Sequence, residues 1–169
     1  RAGLLDRPFS ISVGFMLPHP PYVARQIDFE RYYAEMTMPK ILCPAQDDQH
    51  PYMKAWRKHT GIESVPSDDI IRSRASYWAL VAQVDVMIGQ ILDALYANDL
   101  DDNTLIMYTS DHGDMVGEHG LWWKHVFYEG SSRVPLIMSW PGVIKGGQRC
   151  EHVVSALDGT ATLIDACAA

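Results

Sequence analysis

Cysteine is scarce in this chain, and basic residues are fewer than acidic ones. The 169 residues include only Cys43, Cys150 and Cys167, an odd and widely spaced set that forms neither a disulfide framework nor a CxxC zinc motif. The 14 Lys and Arg residues against 21 Asp and Glu give a net charge of −7. Because no basic face is available for polyphosphate, we expect no nucleic-acid partner.

Long hydrophobic runs are also missing. No uninterrupted apolar stretch approaches the roughly 20 residues that span a bilayer, so we expect no membrane partner. The chain lacks an initiator methionine, and its last residues, LIDACAA, stop inside a predicted helix. We therefore interpret both ends as cuts through a longer protein and leave the compartment open, favouring the cytoplasm over the periplasm or secretion.

The remaining composition, 47% apolar and 21% charged, is that of a globular protein that can bury a core. Its patterning indicates strands alternating with helices, which favours an α/β fold with helices on the faces of a sheet. The predicted elements are a buried strand at 9–16, a helix near 27–35 within a long irregular excursion from 23 to 66, a long helix from 67 to about 95, strands at 104–109, 134–140 and 152–155, and a final helix from about 157.

The long helix has the clearest signal. Ser67 can cap it, and Asp68 and Asp69 then lie at the positive end of its dipole. Apolar residues recur at steps of three, four and seven over about seven turns, which predicts one buried face. These residues are Ile70, Tyr77, Val81, Val84, Ile88, Ile91 and Leu95.

The densest polar cluster, SDHGD at residues 110–114, directly follows a predicted strand. Ligand sites gather at the carboxyl ends of strands in α/β sheets, and Asp111 and His112 could offer an oxygen and a nitrogen donor to one cation. The same composition also suits an ordinary polar turn in which Asp111 caps backbone N–H groups and Gly113 takes a positive φ. Spacing alone favours the turn.

Three other positions could carry chemistry. Lys124 lies among four aromatic residues and could present a fixed ammonium to an anion, although a solvated surface lysine fits the same pattern. His19 is held between prolines in LPHPPY, which suits either catalysis or a rigid loop. Cys43 has no neighbour that would activate a thiol, so we interpret it as structural.

Two segments together carry a family resemblance. The segment YTSDHGDMVGEHGLWWKHVFYEGSSRVPLIMSWPG, at 108–142, resembles the sulfatase branch of the alkaline-phosphatase superfamily, and VGFMLPHPPY, at 13–22, resembles its histidine loop. The chain is most like the choline-sulfatase-like members. Because the resemblance covers nearly all of the chain, it implies that residues 1–169 are the middle of a sulfatase-like catalytic domain, truncated at both ends. The implied fold is part of an alkaline-phosphatase-like sandwich with a mainly parallel mixed sheet and flanking helices.

The resemblance also implies a chemistry, the calcium-dependent hydrolysis of small-molecule sulfate esters by a formylglycine nucleophile. Asp111 and His112 resemble two of the metal ligands of that family. Lys124 resembles the lysine that contacts the sulfate and the leaving oxygen, and His19 resembles the histidine near the leaving group. A homo-oligomer is compatible with this interpretation.

The chain departs from the family pattern in one respect. The formylglycine motif, Cys or Ser followed by x-Pro, Ser or Ala, and Arg, is expected before the histidine loop, and it does not occur in this sequence. Cys43 lies after His19 and has no arginine in the required place. We therefore expect the nucleophile upstream and the chain alone to be inactive. Two alternatives stay open, a phosphonate monoester or phosphodiester hydrolase of the same superfamily and a non-catalytic fragment.

Overall fold

The computed structural model describes residues 8–45 and 49–168. Five α-helices and two strands follow one another along these residues, with single turns of 3₁₀ helix at Asp101–Asn103 and Glu118–Gly120. The elements are α1 Gln26–Tyr33, α2 Pro51–Thr60, α3 Ser67–Tyr96, β1 Ile106–Thr109, α4 Glu129–Ser132, β2 Leu136–Ser139 and α5 Ala156–Ala168.

Helix α3 confirms the long predicted helix. Its N-cap residue is Pro66, so Ser67 is the first helical residue rather than the cap. Asp68 and Asp69 lie in the first turn as expected. Helix α1 packs against α3, and the Tyr33 hydroxyl donates to Asp68 at 3.0 Å across this contact.

By length and apolar composition, α3 also qualifies as a helix that could cross a membrane. The sequence shows no uninterrupted apolar run here, because Asp85 divides the apolar part of the helix near its middle. Length and composition do not distinguish such a helix from the core helix of a globular domain. Here Ala75, Leu80 and Val84 of α3 are buried within the chain.

Strands β1 and β2 pair antiparallel, with Ile106 opposite Ser139 and Thr109 opposite Leu136. In the part of the chain that the structure describes, the sheet is this antiparallel pair, and the mainly parallel mixed sheet of a sandwich stays a prediction. A parallel pair needs a crossover long enough to return to the other end of the sheet. The connection at 110–135 contains the 3₁₀ turn Glu118–Gly120 and the four-residue helix α4, and it leaves and re-enters the sheet at the same end.

Two of the predicted strands are wrong. Residues 9–16 and 152–155 form no strand, and most of their side chains are exposed. Ile11, for example, is 73% exposed. A strand needs a partner for its backbone N–H and C=O groups, and neither segment finds one among the residues described here. The excursion at 23–66 holds one helix more than predicted, α2, which Pro51 begins and Gly61 ends at φ +72°.

The main hydrophobic core lies beneath the connection between β1 and β2 rather than on the sheet. Aromatic residues from the histidine loop, α2 and α3 pack around it, including Tyr22, Trp56 and Tyr77. This core therefore supports the polar residues that follow β1. Its buried members are Ile62, Met115, Val116, Leu121, Trp122 and Val126.

Candidate functional site

The SDHGD segment leaves β1 in a turn that its own side chains hold. The Ser110 hydroxyl donates to the His112 carbonyl at 2.8 Å, and the Asp111 carboxylate accepts the His112 N–H at 3.0 Å. The Gly113 N–H donates to the Ser131 carbonyl at 2.7 Å. Gly113 does not take the positive φ that the turn interpretation expected, because its N–H bond to Ser131 holds it in another conformation. The turn and site interpretations are otherwise compatible, because the same residues cap the backbone and project their side chains.

His112 contacts two groups of opposite hydrogen-bonding character. Its Nδ1 lies 2.8 Å from the Gly113 carbonyl, and its Nε2 lies 2.6 Å from the Lys124 ammonium. A carbonyl only accepts and an ammonium only donates, so we assign the neutral tautomer with the proton on Nδ1. The Nε2 lone pair then faces the Lys124 ammonium. The same tautomer, with the proton on Nδ1 bonded to a carbonyl, is the one that a histidine needs to ligate a metal through Nε2.

His19 approaches the same place from the opposite segment. Its Nδ1 lies 2.8 Å from the Pro20 carbonyl, which leaves Nε2 available. The ring is oriented edge-on to His112, with 6.3 Å between the centroids. The peptide bonds Leu17–Pro18 and Pro20–Pro21 of this loop are both cis.

A cleft of about 370 Å³ lies between these segments. Three of the four residues that the sequence singles out as candidates, His19, His112 and Lys124, line it. Asp111 does not line the cleft, and its side chain is 84% exposed, but its carboxylate lies 3.5 Å from His112 Nε2. The remaining lining residues are Pro20, Pro21, Asp114, Trp123 and His125.

The charges around Asp111 favour its ionised form. Burial is the largest single influence on Asp111 and opposes its ionisation, but nearby His112, backbone N–H groups and Lys124 together outweigh it and hold the pKa of Asp111 below its ordinary value. Asp111 thus offers an anionic oxygen beside the His112 nitrogen, a donor set suited to a hard or borderline cation. Among residues 8–45 and 49–168, no group of three or more His, Cys, Asp or Glu side chains could hold a metal ion.

Asp114 is the residue that sequence reasoning missed. Its carboxylate accepts hydrogen bonds from the Tyr22 hydroxyl at 2.7 Å and from the Val116 and Trp123 N–H groups at 3.0 Å. Burial, and then the bond to Asp114, raises the pKa of Tyr22 well above its ordinary range. The only sequence signal was the presence of Asp114 in the polar cluster, because Tyr22 lies 92 positions away.

Cys43 and Arg133 lie outside the cleft. Cys43 is exposed, and its thiol contacts the Pro44 carbonyl and the Gln49 amide. Arg133, which lies between α4 and β2, pairs with Glu129 at 3.2 Å.

The family model described as Sulfatase matches residues 2–168 of the chain. The chain belongs to the sulfatase family. A choline-sulfatase of Rhizobium meliloti (strain 1021) is 38% identical to this sulfatase-family chain over 164 residues, which is 94% of the chain and 31% of that relative. Arylsulfatase K of Gallus gallus is 35% identical over 175 residues, which is 95% of the chain and 32% of that relative. The chain thus spans about a third of the length of these curated relatives.

Solved structures agree with this assignment. The phosphonate monoester hydrolase SpPMH from Silicibacter pomeroyi superposes with a TM-score of 0.63 and 30% identity, covering 74% of this sulfatase-family chain and 27% of that structure. The phosphonate monoester hydrolase of Agrobacterium radiobacter gives a TM-score of 0.60 and 28% identity, covering 76% and 28%. The α/β class of the fold is therefore shared with alkaline-phosphatase-like hydrolases.

Proposed function

We propose that the protein to which this chain belongs hydrolyses sulfate monoesters in a site that includes this cleft. The observation that carries the proposal is the convergence of His19, His112 and Lys124 from two distant segments on one cleft. Membership of the sulfatase family supports sulfate esters as the substrate class. In this proposal the strands β1 and β2 belong to a larger sheet of a sandwich, completed by residues outside the chain.

Lys124 and His19 have complementary roles in the proposal. The compact ammonium of Lys124 stabilises negative charge on the sulfuryl oxygens or on the leaving oxygen. In this step His19 acts as the imidazolium: its Nε2–H passes to the leaving oxygen while its Nδ1–H stays bonded to the Pro20 carbonyl, which leaves a neutral ring. The alcohol then departs neutral rather than as an alkoxide.

Asp111 and His112 would hold a divalent cation, for which calcium is our proposal. The Gly113 carbonyl presets the His112 tautomer, and the Asp111 carboxylate is ionised, so both side chains suit a cation once the Lys124 ammonium moves away from Nε2. Calcium takes 6–8 oxygen ligands, so Asp111 and His112 would supply only part of its coordination, and water, substrate or other protein oxygens would supply the rest. When bound, the cation would supply charge neutralisation for the ester oxygens. A formylglycine nucleophile outside this chain is part of the same proposal.

A phosphonate monoester or phosphodiester hydrolase is the second candidate. The likeness of the chain to two phosphonate monoester hydrolases favours it. A tetrahedral phosphoryl group offers similar anionic oxygens to Lys124, so the cleft suits either ester.

Parallel kinetics on the full-length protein would test both candidates. We expect kcat/KM for an aryl sulfate to exceed that for the matching aryl phosphonate monoester and phosphodiester. The reverse order would favour the second candidate. Lys124→Ala and Asp111→Ala serve as matched variants, and activity that neither change lowers would place the reaction outside this cleft. No turnover of any ester would refute the proposed hydrolysis.

A further inference from the structure

Asp114 joins the two segments that carry His19 and Lys124. One carboxylate oxygen, Oδ1, accepts the backbone N–H groups of Val116 and Trp123, both at 3.0 Å. The other oxygen, Oδ2, accepts the Tyr22 hydroxyl at 2.7 Å. The two oxygens therefore serve different segments of the chain.

The Oδ1 oxygen acts on Lys124 through Trp123. Trp123 has a φ of +64°, a left-handed conformation that a bulky L-residue rarely adopts. Its N–H donates to Asp114, and its carbonyl accepts the Met115 N–H at 3.0 Å. These two bonds hold the unusual conformation from both sides. Because Lys124 is the next residue, the direction of its side chain depends on that conformation.

The Oδ2 oxygen acts on His19 through Tyr22. Tyr22 follows His19 by three residues, and the two residues between them are prolines with restricted φ angles. A fixed Tyr22 therefore limits the positions open to His19. The Tyr22 ring also packs edge-on against Tyr77, with 5.9 Å between the centroids. The Asp114 bond thus anchors a loop that has little freedom of its own.

We propose that Asp114 is a positioning residue, with Oδ1 holding Lys124 and Oδ2 holding His19 against the same cleft. Both carboxylate oxygens are engaged by protein donors, and through these bonds Asp114 acts on Lys124 and His19. The kinetic part of this inference rests on the proposed ester hydrolysis. The placement of Lys124, however, is measurable without turnover.

The first experiment measures the acetylation rate of Lys124 by mass spectrometry in the full-length protein treated with acetic anhydride, relative to the exposed Lys145. We expect Asp114→Ala to raise the relative rate several-fold, because Lys124 loses its half-buried position. Asp114→Asn retains an acceptor oxygen for the Trp123 N–H, so Lys124 in this variant should be acetylated at the wild-type rate. A wild-type rate in folded Asp114→Ala would overturn the proposal.

A second variant keeps the test decisive if Asp114→Ala does not fold. Asp114→Glu retains the charge but moves the acceptor oxygens by about 1.5 Å, one carbon–carbon bond. Positioning predicts faster Lys124 labelling in this variant as well, whereas a role for charge alone predicts no change and would overturn the inference. Asp85→Ala, which removes an exposed carboxylate of α3 outside the cleft, is the matched control.

The second experiment compares sulfate esters with activated and poor leaving groups. We expect Asp114→Ala to lower kcat about a hundredfold, the scale for misplacement by an ångström. The loss should be larger for the poor leaving group, because His19 no longer meets the leaving oxygen. Tyr22→Phe should reproduce this leaving-group dependence while Lys124 labels at the wild-type rate.

The outcomes separate this inference from the proposed function. A merely structural role for Asp114 would lower the folded fraction, and so would reduce turnover of both esters equally without changing the labelling of the folded protein. That pattern would overturn the inference. If no ester is turned over by the wild type, the proposed hydrolysis fails, and the labelling rates still decide whether Asp114 positions Lys124.

Discussion

The connection between β1 and β2 and the region formed by β2 and α5 differ in how they are packed. In the connection, Met115 and Leu121 are each only 1% exposed. In β2, by contrast, Ile137 is 60% exposed, and Leu157 and Ile164 of α5 are 79% and 66% exposed. The cleft is therefore built on a core that this chain supplies itself, whereas β2 and α5 bury little apolar surface within it.

Polar contacts divide in the same way. Arg57 of α2 donates to the Gly120 and His119 carbonyls, and Arg74 of α3 donates to the Val116 carbonyl at 2.8 Å. The side-chain hydrogen bonds described for α5 are all local, such as that from Thr162 to the Asp158 carbonyl. Local opening of the chain should therefore begin at α5 and leave the cleft intact.

The largest expected effect is on stability. Leu121→Ala should cost about 2–5 kcal/mol of unfolding free energy, because it opens a cavity in the core beneath the cleft. Ile164→Ala, an exposed position of α5, should cost about 0.5 kcal/mol or less. Urea unfolding of the 169-residue chain, followed by tryptophan fluorescence, measures both. Equal losses of unfolding free energy in the two variants would show that α5 is packed as tightly as the core beneath the cleft.

The next effect is on catalysis by the full-length protein. Lys124→Ala should lower kcat/KM for a sulfate ester by about 10²–10³, the scale for removing one preorganised charge-stabilising group. Lys124→Arg should restore little, because a planar guanidinium does not replace a compact ammonium. Lys145→Ala, at an exposed position after β2, is the control. Near-normal turnover by Lys124→Ala would return this lysine to the role of a surface residue.

Sequence patterns predicted the elements that depend on local periodicity. The apolar repeat located α3 to within a residue or two, and β1 and β2 lie inside the predicted runs. The predicted strand at 9–16 was wrong because strand formation depends on a distant partner, which no local pattern shows. The antiparallel pairing of β1 and β2 likewise depends on the end of the sheet to which the connection at 110–135 returns, and no local pattern shows this either.

The candidate site was predictable in part for the same reason. The position of Asp111 and His112 after a strand, together with the family resemblance, indicated this region, and the structure places His19 and Lys124 beside it. The link through Asp114 was not predictable, because it joins residues 92 positions apart by hydrogen bonds that leave no periodic trace. Packing of the loops, rather than local propensity, creates it.

A glycine substitution sharpens the comparison at a smaller scale. A Cβ on Gly113 would collide with the carbonyl oxygen of Gly130. This oxygen belongs to the backbone, so it cannot move aside as a flexible side chain could. Gly113→Ala should therefore cost about 1–3 kcal/mol. Gly14→Ala meets nothing within 4 Å and should leave stability unchanged or raise it by about 0.4–1 kcal/mol. Thermal unfolding of the two variants measures both, and a harmless Gly113→Ala would contradict the tight packing of the cleft loop.

The smallest expected effect is an alkaline loss of stability that originates at Tyr77, beneath the cleft. Burial, followed by the charges of Asp114 and Tyr108, raises the pKa of Tyr77 to about 12. The unfolded chain has a tyrosine pKa of about 10, so it releases this proton at lower pH than the folded chain. The contribution is complete below about pH 10 and is lost as the pH rises toward about 12. Because Tyr77 is only partly buried, the slope should stay well below the roughly 1.4 kcal/mol per pH unit of a fully linked proton.

Urea unfolding between about pH 9 and about pH 12 measures this slope. Tyr77→Phe has no proton to release and should lose less stability over this range than the wild type. Tyr52→Phe, at an exposed tyrosine of α2, should follow the wild type. A Tyr77→Phe curve parallel to that of the wild type would show that the alkaline loss originates at another group, for which Tyr22 is the next candidate because burial and Asp114 raise its pKa too.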